Sequence, residues 1–153
     1  MTSAATGKRI AFVQACWHRD IVDQGRDAFL AEMKRHDIGP EDIDLYEVPG
    51  SLEIPLQAKL LAKTGKYSSI VAAGFVVNGG IYRHEFVAQT VLDALMRIQL
   101  DTDVPIISMV LTPQHFHEHE THHEFFHEHF KVKGAEAAAA CVKTLENLSK
   151  VFA

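Results

Sequence analysis

The residues best suited to chemistry stand in four short segments, each directly after an apolar run. These segments are Cys16-Trp17-His18, Pro49 to Glu53, Asn78 to Glu85 and Thr112 to His115. Trp17 is the one tryptophan of the chain and stands outside any periodic core pattern. An indole in such a place can stack on a flat heteroaromatic ring, although it can equally cap the edge of a core. The first segment is therefore a candidate binding site for an aromatic ring.

Ser51 and Glu53 stand at the start of a helix predicted over Leu52 to Lys63. A hydroxyl and a carboxylate in the first turn of a helix commonly accept hydrogen bonds from backbone N–H groups. Glu53 can instead accept hydrogen bonds from a bound polyol. The residue types alone leave both interpretations open.

Gly79 and Gly80 precede another helical pattern, and Arg83 and His84 follow them closely. Glycines before a helix let backbone N–H groups approach an anion, which the positive end of the helix also attracts. Arg83 is a fixed cation, whereas His84 can exchange protons near neutral pH. Because the segment matches neither the Walker A nor the GxGxxG pattern, it favours a small phosphorylated substrate over a nucleotide.

Histidines are concentrated in one segment, His115 to His129. The sequences from His119 to His123 and from His123 to His127 both match HExxH, in which two histidines on one helix face bind zinc. Overlapping matches are what a segment rich in His and Glu produces by composition, and no third ligand is indicated. We therefore expect no metal centre, and a zinc enzyme built on His119 and His123 is kept as an alternative.

Composition limits the classes of protein to consider. The chain has 153 residues, 47% of them hydrophobic and 23% charged, with a formal net charge of −5. These values predict one folded domain and exclude disordered and fibrous classes, and the negative charge disfavours nucleic acid and anionic membranes as partners. Two cysteines, Cys16 and Cys141, predict reduced thiols. With no apolar leader over Met1 to Lys8, we expect a cytoplasmic protein.

Four apolar runs alternate with segments of helical period, and the runs are Ile10–Ala15, Ile43–Val48, Ile70–Val77 and Val104–Leu111. The second run alternates with charged residues, as an edge strand does, and the third is apolar almost throughout, as a central strand is. A His-rich helical segment and a separate last helix follow the fourth run. The last helix is predicted to bury one apolar face, formed by Ala138, Cys141, Leu145, Leu148 and Phe152.

This alternation predicts an α/β protein of three layers, with a doubly wound, parallel, four-stranded sheet of strand order 2-1-3-4. We expect an N-terminal arm over residues 1–8 and a single domain over residues 9–153. Ligands of such sheets bind beyond the carboxyl ends of the strands, near the point where the strand order reverses. The four segments named at the outset all follow strands, so we expect them to meet at that edge.

Over nearly its whole length the chain resembles the 6,7-dimethyl-8-ribityllumazine synthases, enzymes of riboflavin biosynthesis. The matching residues are Gln14 to His18, Val48 to Pro55, Gly74 to Val87 and Lys133-Gly134. The Gly79 to His84 loop and the His-rich segment resemble the second type of this family, which forms homodecamers of two stacked pentamers. The resemblance implies a flavodoxin-like fold and a transferase. Its reaction condenses 5-amino-6-(D-ribitylamino)uracil with 3,4-dihydroxy-2-butanone 4-phosphate, releases phosphate and needs no cofactor.

The resemblance also implies a role for each site residue. Trp17 would stack on the pyrimidine ring, and a run of three residues would hold the ring edge and the ribityl chain, namely Ser51, Leu52 and Glu53. Backbone groups of a second run would line the ring pocket, namely Phe75, Val76 and Val77. Gly80 and Ile81 would donate backbone N–H groups to the phosphate of the butanone.

Three positions differ from the usual residues of the family. Many members have a proton-transferring histidine where this chain has Arg83, so either His84 moves the proton or Arg83 holds phosphate while water or the phosphate does so. Ser108 falls where a neighbouring subunit often supplies an aromatic residue, and His122 where an arginine often pairs with phosphate. The site would lie between adjacent subunits. These differences keep one alternative open, a flavin- or lumazine-binding oligomer with weak synthase activity.

Overall fold

A computed structural model describes residues 8–77, 83–113 and 120–153, and at positions 120–122 it describes the backbone alone. Within these residues four strands form one parallel sheet: β1 (Arg9–Ala15), β2 (Ile43–Val48), β3 (Tyr67–Phe75) and β4 (Ile106–Leu111). Their order is β2-β1-β3-β4, which confirms the predicted doubly wound topology. Residues 1–7 of the predicted N-terminal arm lie outside the described residues.

Helices cover both faces of the sheet: α1 (Arg19–Arg35), α2 (Ile54–Lys63), α3 (His84–Thr102) and α4 (Glu120–Val151). Successive residues of a strand point to opposite faces. Phe12 therefore packs with Phe29 of α1 and Phe130 of α4, whereas Val13 packs with Ile54 of α2 and Leu95 of α3. None of these described helices combines the length and the apolar character that a membrane crossing requires.

Burial along the strands agrees with the predicted places of β2 and β3 in the sheet. The residues of β3 are buried apart from Ser68, because helices cover this central strand on both faces. On the edge strand β2, Ile43 and Val48 are buried, whereas Leu45 is half exposed. The alternating pattern of β2 is therefore that of an edge strand, with its two ends buried, Tyr46 partly buried against the core, and Leu45 open to solvent.

The helix that follows β2 begins later than predicted. The predicted helix started at Leu52, but Ser51–Glu53 form a 3₁₀ turn and α2 begins at Ile54. Pro55 stands in the first turn of α2, where a proline is well tolerated because its missing N–H has no partner in a helix. The 3₁₀ turn therefore carries the three predicted polyol-binding residues at the mouth of the sheet rather than inside a helix.

Two helices were predicted after β4, and the structure instead has one continuous helix, α4, of 32 residues. Gly134 does not interrupt it, because this glycine lies where α4 crosses Gly25 of α1. A Cβ atom on Gly134 would lie 2.2 Å from the Gly25 carbonyl oxygen. The predicted apolar face is confirmed for Ala138 and Cys141, which are buried. It is wrong for Leu148 and Phe152, which are exposed because this end of the chain extends past the core.

A polar network closes the amino edge of the sheet. Arg9 donates two hydrogen bonds to Asp44, with N–O distances of 3.0 and 2.7 Å, and the Tyr67 hydroxyl donates a third at 2.7 Å. These bonds hold the pKa of Asp44 below its usual value, and burial raises the pKa of Tyr67. The network lies at the end of the sheet opposite the predicted site, so we interpret its shifted pKa values as structural.

Candidate functional site

Trp17 and Glu53 meet at the carboxyl edge of the sheet on either side of Gly50. A Cβ atom on Gly50 would lie 3.4 Å from Cδ1 of Trp17 and 3.2 Å from Oε2 of Glu53. The indole is 69% exposed, so it does not cap the core. An aromatic face and a carboxylate thus lie side by side, facing solvent, at the point where the strand order reverses.

The turn before α1 holds Trp17 outside the core. His18 has φ 53° and ψ 48°, a left-handed conformation that costs a residue other than glycine about 1–2 kcal/mol. Its carbonyl accepts hydrogen bonds from the N–H groups of Ile21 and Val22, at 3.0 and 3.1 Å. Its ring lies edge-on to Phe75, with 5.7 Å between the centroids. These contacts hold the partly buried His18 against the end of β3, and the preceding Trp17 is left on the surface.

Glu53 caps its own turn. Its Oε2 accepts a hydrogen bond from the backbone N–H of Gly50 at 3.0 Å. This contact confirms the capping interpretation of the sequence, and it is compatible with the second one. An ionised carboxylate has about four acceptor positions, so an exposed Glu53 retains capacity for hydroxyl donors of a ligand. The neighbouring Leu52 is half exposed.

Ser51 is held against β3 by a glycine that sequence reasoning did not single out. A Cβ atom on Gly74 would lie only 2.6 Å from Oγ of Ser51. The absence of a side chain at Gly74 therefore lets the Ser51–Glu53 turn approach the end of β3. No local sequence pattern shows this contact, because the two residues are far apart in the chain.

Replacing Gly74 with alanine is expected to disturb this approach. The new methyl group would displace the Ser51 hydroxyl, a small group that can rotate. We therefore expect the KM for the uracil substrate that the resemblance implies to rise by about two- to twelvefold, the effect of one lost hydrogen bond. Steady-state kinetics measure this, with the unfolding temperature as a check on folding. A Gly74→Ala enzyme with an unchanged KM would show that the placement of Ser51 does not matter for binding.

The end of β3 can contribute main-chain groups, rather than side chains, to the candidate ring pocket. Phe75 is buried among Phe126 and Phe130, at centroid distances of 5.2 and 5.5 Å, so its ring belongs to the core. The Val76 N–H donates to the Leu111 carbonyl at 2.8 Å, and the Val76 carbonyl accepts from the Thr112 hydroxyl at 2.7 Å. A role of this run in lining the ring pocket therefore has to rest on main-chain groups, as the resemblance implies.

Arg83 and His84 face different surroundings at the start of α3. Arg83 is exposed, and its guanidinium lies 5.8 Å from the centroid of the Phe86 ring, within the range of a cation–π contact. The side chain of His84 is only 15% exposed. Its Nδ1 is buried and makes no hydrogen bond within the described part of the chain, although Oε2 of Glu85 lies 3.2 Å away. His84 is the enclosed member of the pair.

Within one chain, Ser108 lies far from the other predicted site residues. It lies exposed on β4, with Oγ accepting a hydrogen bond from the Val110 N–H at 3.2 Å. It pairs with Ala72 in β3 and so lies three residues before the carboxyl end of the sheet, and one strand separates β4 from β1. At about 3.3 Å per residue and 4.8 Å per strand, this places it well away from Trp17.

Some predicted residues lie outside what the structure describes. Gly80 and Ile81 fall in residues 78–82, and His122 belongs to α4 with only its backbone described. The described histidine closest to it in sequence, His123, contacts the carboxylate of Asp20 of α1 through Nε2. Among the side chains that the structure describes, no group of three or more potential ligands is placed to hold a metal ion.

The chain matches the family model described as 6,7-dimethyl-8-ribityllumazine synthase over residues 7–149. It is 59% identical over 141 residues to a protein of Pseudomonas syringae pv. tomato named 6,7-dimethyl-8-ribityllumazine synthase 2, covering 92% of this chain and 83% of that one. A protein of the same name from Bradyrhizobium diazoefficiens is 57% identical, with coverage of 96% and 88%. The 6,7-dimethyl-8-ribityllumazine synthase of Rhodococcus erythropolis is 58% identical, with coverage of 95% and 94%.

Proposed function

The chain belongs to the 6,7-dimethyl-8-ribityllumazine synthase family, and from that premise we propose that its substrates meet at the carboxyl edge of the sheet, between Trp17, Glu53 and the start of α3. It is a transferase of riboflavin biosynthesis that condenses 5-amino-6-(D-ribitylamino)uracil with 3,4-dihydroxy-2-butanone 4-phosphate and releases phosphate. The relatives above are named as synthases and give no support to the alternative of a flavin-binding oligomer.

The observation that carries the proposed location is the pair formed by Trp17 and Glu53 around Gly50. In this proposal the exposed indole stacks on the pyrimidine ring, and the free acceptor positions of Glu53 bind ribityl hydroxyls. Ser51 and Leu52 complete the wall on the side of α2, and main-chain groups of Phe75, Val76 and Val77 complete it on the side of β3. A flat ring with a polyol tail requires this combination of a stacking face and a neighbouring acceptor.

The phosphate of the butanone binds, in this proposal, at residues 78–82, with Gly80 and Ile81 as backbone donors. The support is their place in the chain, because they connect the end of β3 to the start of α3. The N-terminus of a helix of 19 residues attracts an anion through its unpaired N–H groups and its dipole. His122, in the first turn of α4, is proposed as a further phosphate contact.

The reaction needs orientation and proton transfer more than new reactive groups. An imine forms between the 5-amino group of the uracil and the ketone with loss of water, and phosphate is then eliminated, which after tautomerisation leaves a carbonyl group on the neighbouring carbon. The ribityl-bearing nitrogen attacks this carbon and closes the ring with loss of a second water. Holding two reactants in register contributes about 7–11 kcal/mol in favourable cases. A positioned acid–base group adds roughly 10²- to 10⁴-fold. We assign the second task to His84, because its imidazole is enclosed near the predicted phosphate loop whereas Arg83 faces solvent.

Replacing His84 with alanine is therefore expected to lower kcat by about 10²-fold or more, the contribution of a positioned acid–base group. Replacing Arg83 with alanine is expected mainly to raise the KM for the butanone phosphate, because Arg stays protonated and can supply charge but not a proton. Steady-state kinetics with each substrate varied in turn separate the two effects.

Matched controls for these two variants are His36→Ala and Arg35→Ala, both at the end of α1. Neither side chain lies at the proposed site, so both controls are expected to keep kcat and KM. If Arg83→Ala lost turnover while His84→Ala kept it, the assignment of proton transfer to His84 would be wrong.

The family assembles into homo-oligomers, and for this chain we propose a decamer of two pentamers with sites between neighbouring subunits. The support is a set of apolar side chains left exposed at four-residue spacing on α2 and α3, namely Leu56, Leu60, Leu92, Met96 and Leu100. Apolar stripes of this kind mark protein interfaces. Ser108 would reach the ring pocket of a neighbouring subunit in such an assembly, which agrees with its distance from Trp17 within one chain.

We further propose that the enzyme works in the cytoplasm with both thiols reduced. Cys16 and Cys141 do not form a disulfide with one another. Burial raises the pKa of the Cys141 thiol to about 11, so this thiol stays protonated and unreactive. Free thiols are typical of a reducing compartment.

A further inference from the structure

Thr112 links the ends of β3 and β4 beyond the last paired residues of the sheet. Its hydroxyl donates a hydrogen bond of 2.7 Å to the Val76 carbonyl. The Val76 N–H donates in turn to the Leu111 carbonyl at 2.8 Å. Both polar main-chain groups of Val76 are thus directed towards β4. Thr112 itself is exposed, so its hydroxyl is not held there by burial in the core.

The direction of Val76 determines the direction of the next residue. Successive residues of a strand turn their N–H and C=O groups to opposite neighbours, and on β3 those of Ile70 face β4, because its N–H donates to the Pro105 carbonyl at 3.0 Å. Val76, just beyond the end of β3, stands six residues later and faces β4 as well. Because the peptide bond is planar, holding the Val76 carbonyl also fixes the orientation of the Val77 N–H.

The Val77 N–H lies opposite to the Val76 carbonyl in the same trans peptide, so it points away from β4 and to the side of β1, the strand that Trp17 and His18 follow. It makes no hydrogen bond to any described residue, although Val77 is partly buried against the core. Within the described part of the chain this N–H has no acceptor, and a ligand atom can supply one. The donor lies on the same edge of the sheet as the exposed indole of Trp17, where a carbonyl oxygen or a ring nitrogen of a stacked pyrimidine can accept its hydrogen bond.

We propose that Thr112 is a positioning residue for the synthase reaction. By binding the Val76 carbonyl, its hydroxyl turns the Val77 N–H towards the ring that stacks on Trp17. This inference rests on the proposed location of the site. The inference adds Thr112 to the residues of the proposed site, although its side chain need not touch the substrate.

The test compares Thr112→Val, which keeps the shape but removes the hydroxyl, with Thr112→Ser, which keeps the hydroxyl. We expect Thr112→Val to raise the KM for the uracil substrate by about two- to twelvefold, the effect of one hydrogen bond, with the KM for the butanone phosphate unchanged. Thr112→Ser is expected to keep the KM for the uracil substrate at the value of the unaltered enzyme. Thr64→Val is the matched control, because the Thr64 hydroxyl also bonds to a backbone carbonyl, that of Leu61 at 2.6 Å, at the far end of α2.

Hydrogen exchange separates positioning from direct contact. In the ligand-free enzyme, loss of the Thr112 hydroxyl is expected to speed exchange of the Val76 amide, whose bond to Leu111 it supports. Unchanged exchange together with a raised KM would mean that Thr112 touches the substrate directly and would overturn the positioning role. Faster exchange with an unchanged KM would also overturn the positioning role, because the bond between Thr112 and Val76 would then stabilise the structure without affecting substrate binding.

The variant Trp17→Ala, measured beside these, separates failure of the inference from failure of the proposed site. If Trp17→Ala raises the KM for the uracil substrate and Thr112→Val does not, the role of Thr112 is wrong and the site remains. If neither variant changes that KM, the ring binds elsewhere and both proposals fail.

Discussion

Replacement of Trp17 by alanine is expected to weaken binding of the uracil substrate by about five- to 150-fold, because stacking of a base on an aromatic side chain is worth about 1–3 kcal/mol. Trp17 is 69% exposed, and its contact with Gly50 is at the surface, so the fold does not depend on it. The loss should therefore fall on affinity and not on stability. Calorimetric titration of the variant with the uracil substrate measures it.

Two variants sharpen this experiment. Trp17→Phe keeps an aromatic face and is expected to recover most of the affinity. Leu45→Ala removes another large, half-exposed apolar side chain, on the edge strand β2, and is expected to bind as the unaltered enzyme does. Unchanged affinity of Trp17→Ala, with folding intact, would contradict the stacking role and with it the proposed position of the ring.

Replacement of Gly134 by alanine is expected to destabilise the protein by roughly 1–3 kcal/mol, the usual cost of overpacking a close contact. The added methyl group would lie 2.2 Å from the Gly25 carbonyl oxygen and 2.9 Å from Cβ of Ala28. Both contacts are with α1, and a backbone oxygen cannot rotate away, so the two helices must separate. Denaturant unfolding measures the change in the free energy of unfolding.

The sign of this result is informative because helix propensity predicts the reverse. Alanine is favoured over glycine inside a helix by about 1 kcal/mol. If Gly134→Ala stabilised the protein, the close crossing of α1 and α4 would be wrong. Because α1 follows the turn that carries Trp17, we also expect the destabilised variant to bind the uracil substrate more weakly.

Most of the fold could be predicted from local patterns. The alternation in Ile43–Val48 indicated an edge strand, and the unbroken apolar run from Ile70 indicated a central one, and both places are confirmed. The continuity of α4 could not be predicted, because a glycine usually weakens a helix and only its packing partner, Gly25, explains its presence. The exposure of Phe152 was also missed, since apolar spacing continues beyond the end of the core.

The site could be predicted as a set of segments, but not as a set of contacts. The residue types that follow each strand indicated Trp17, Glu53 and His84 as candidates. The rule that ligands bind at the carboxyl edge of the sheet predicted that these residues lie at the same edge. The bond between Thr112 and Val76 spans 36 residues, and the approach of Ser51 to Gly74 depends on a missing side chain. No local sequence pattern predicts either contact. The different exposure of Arg83 and His84 likewise depends on how α3 begins, which residue types alone do not determine.

The most direct test of the central claim is the rate of 6,7-dimethyl-8-ribityllumazine formation by the purified protein, followed optically in metal-free buffer with both substrates supplied. We predict saturable formation of the product, well above the enzyme-free rate and without added cofactor or metal. A rate no higher than that of the enzyme-free mixture would contradict the account.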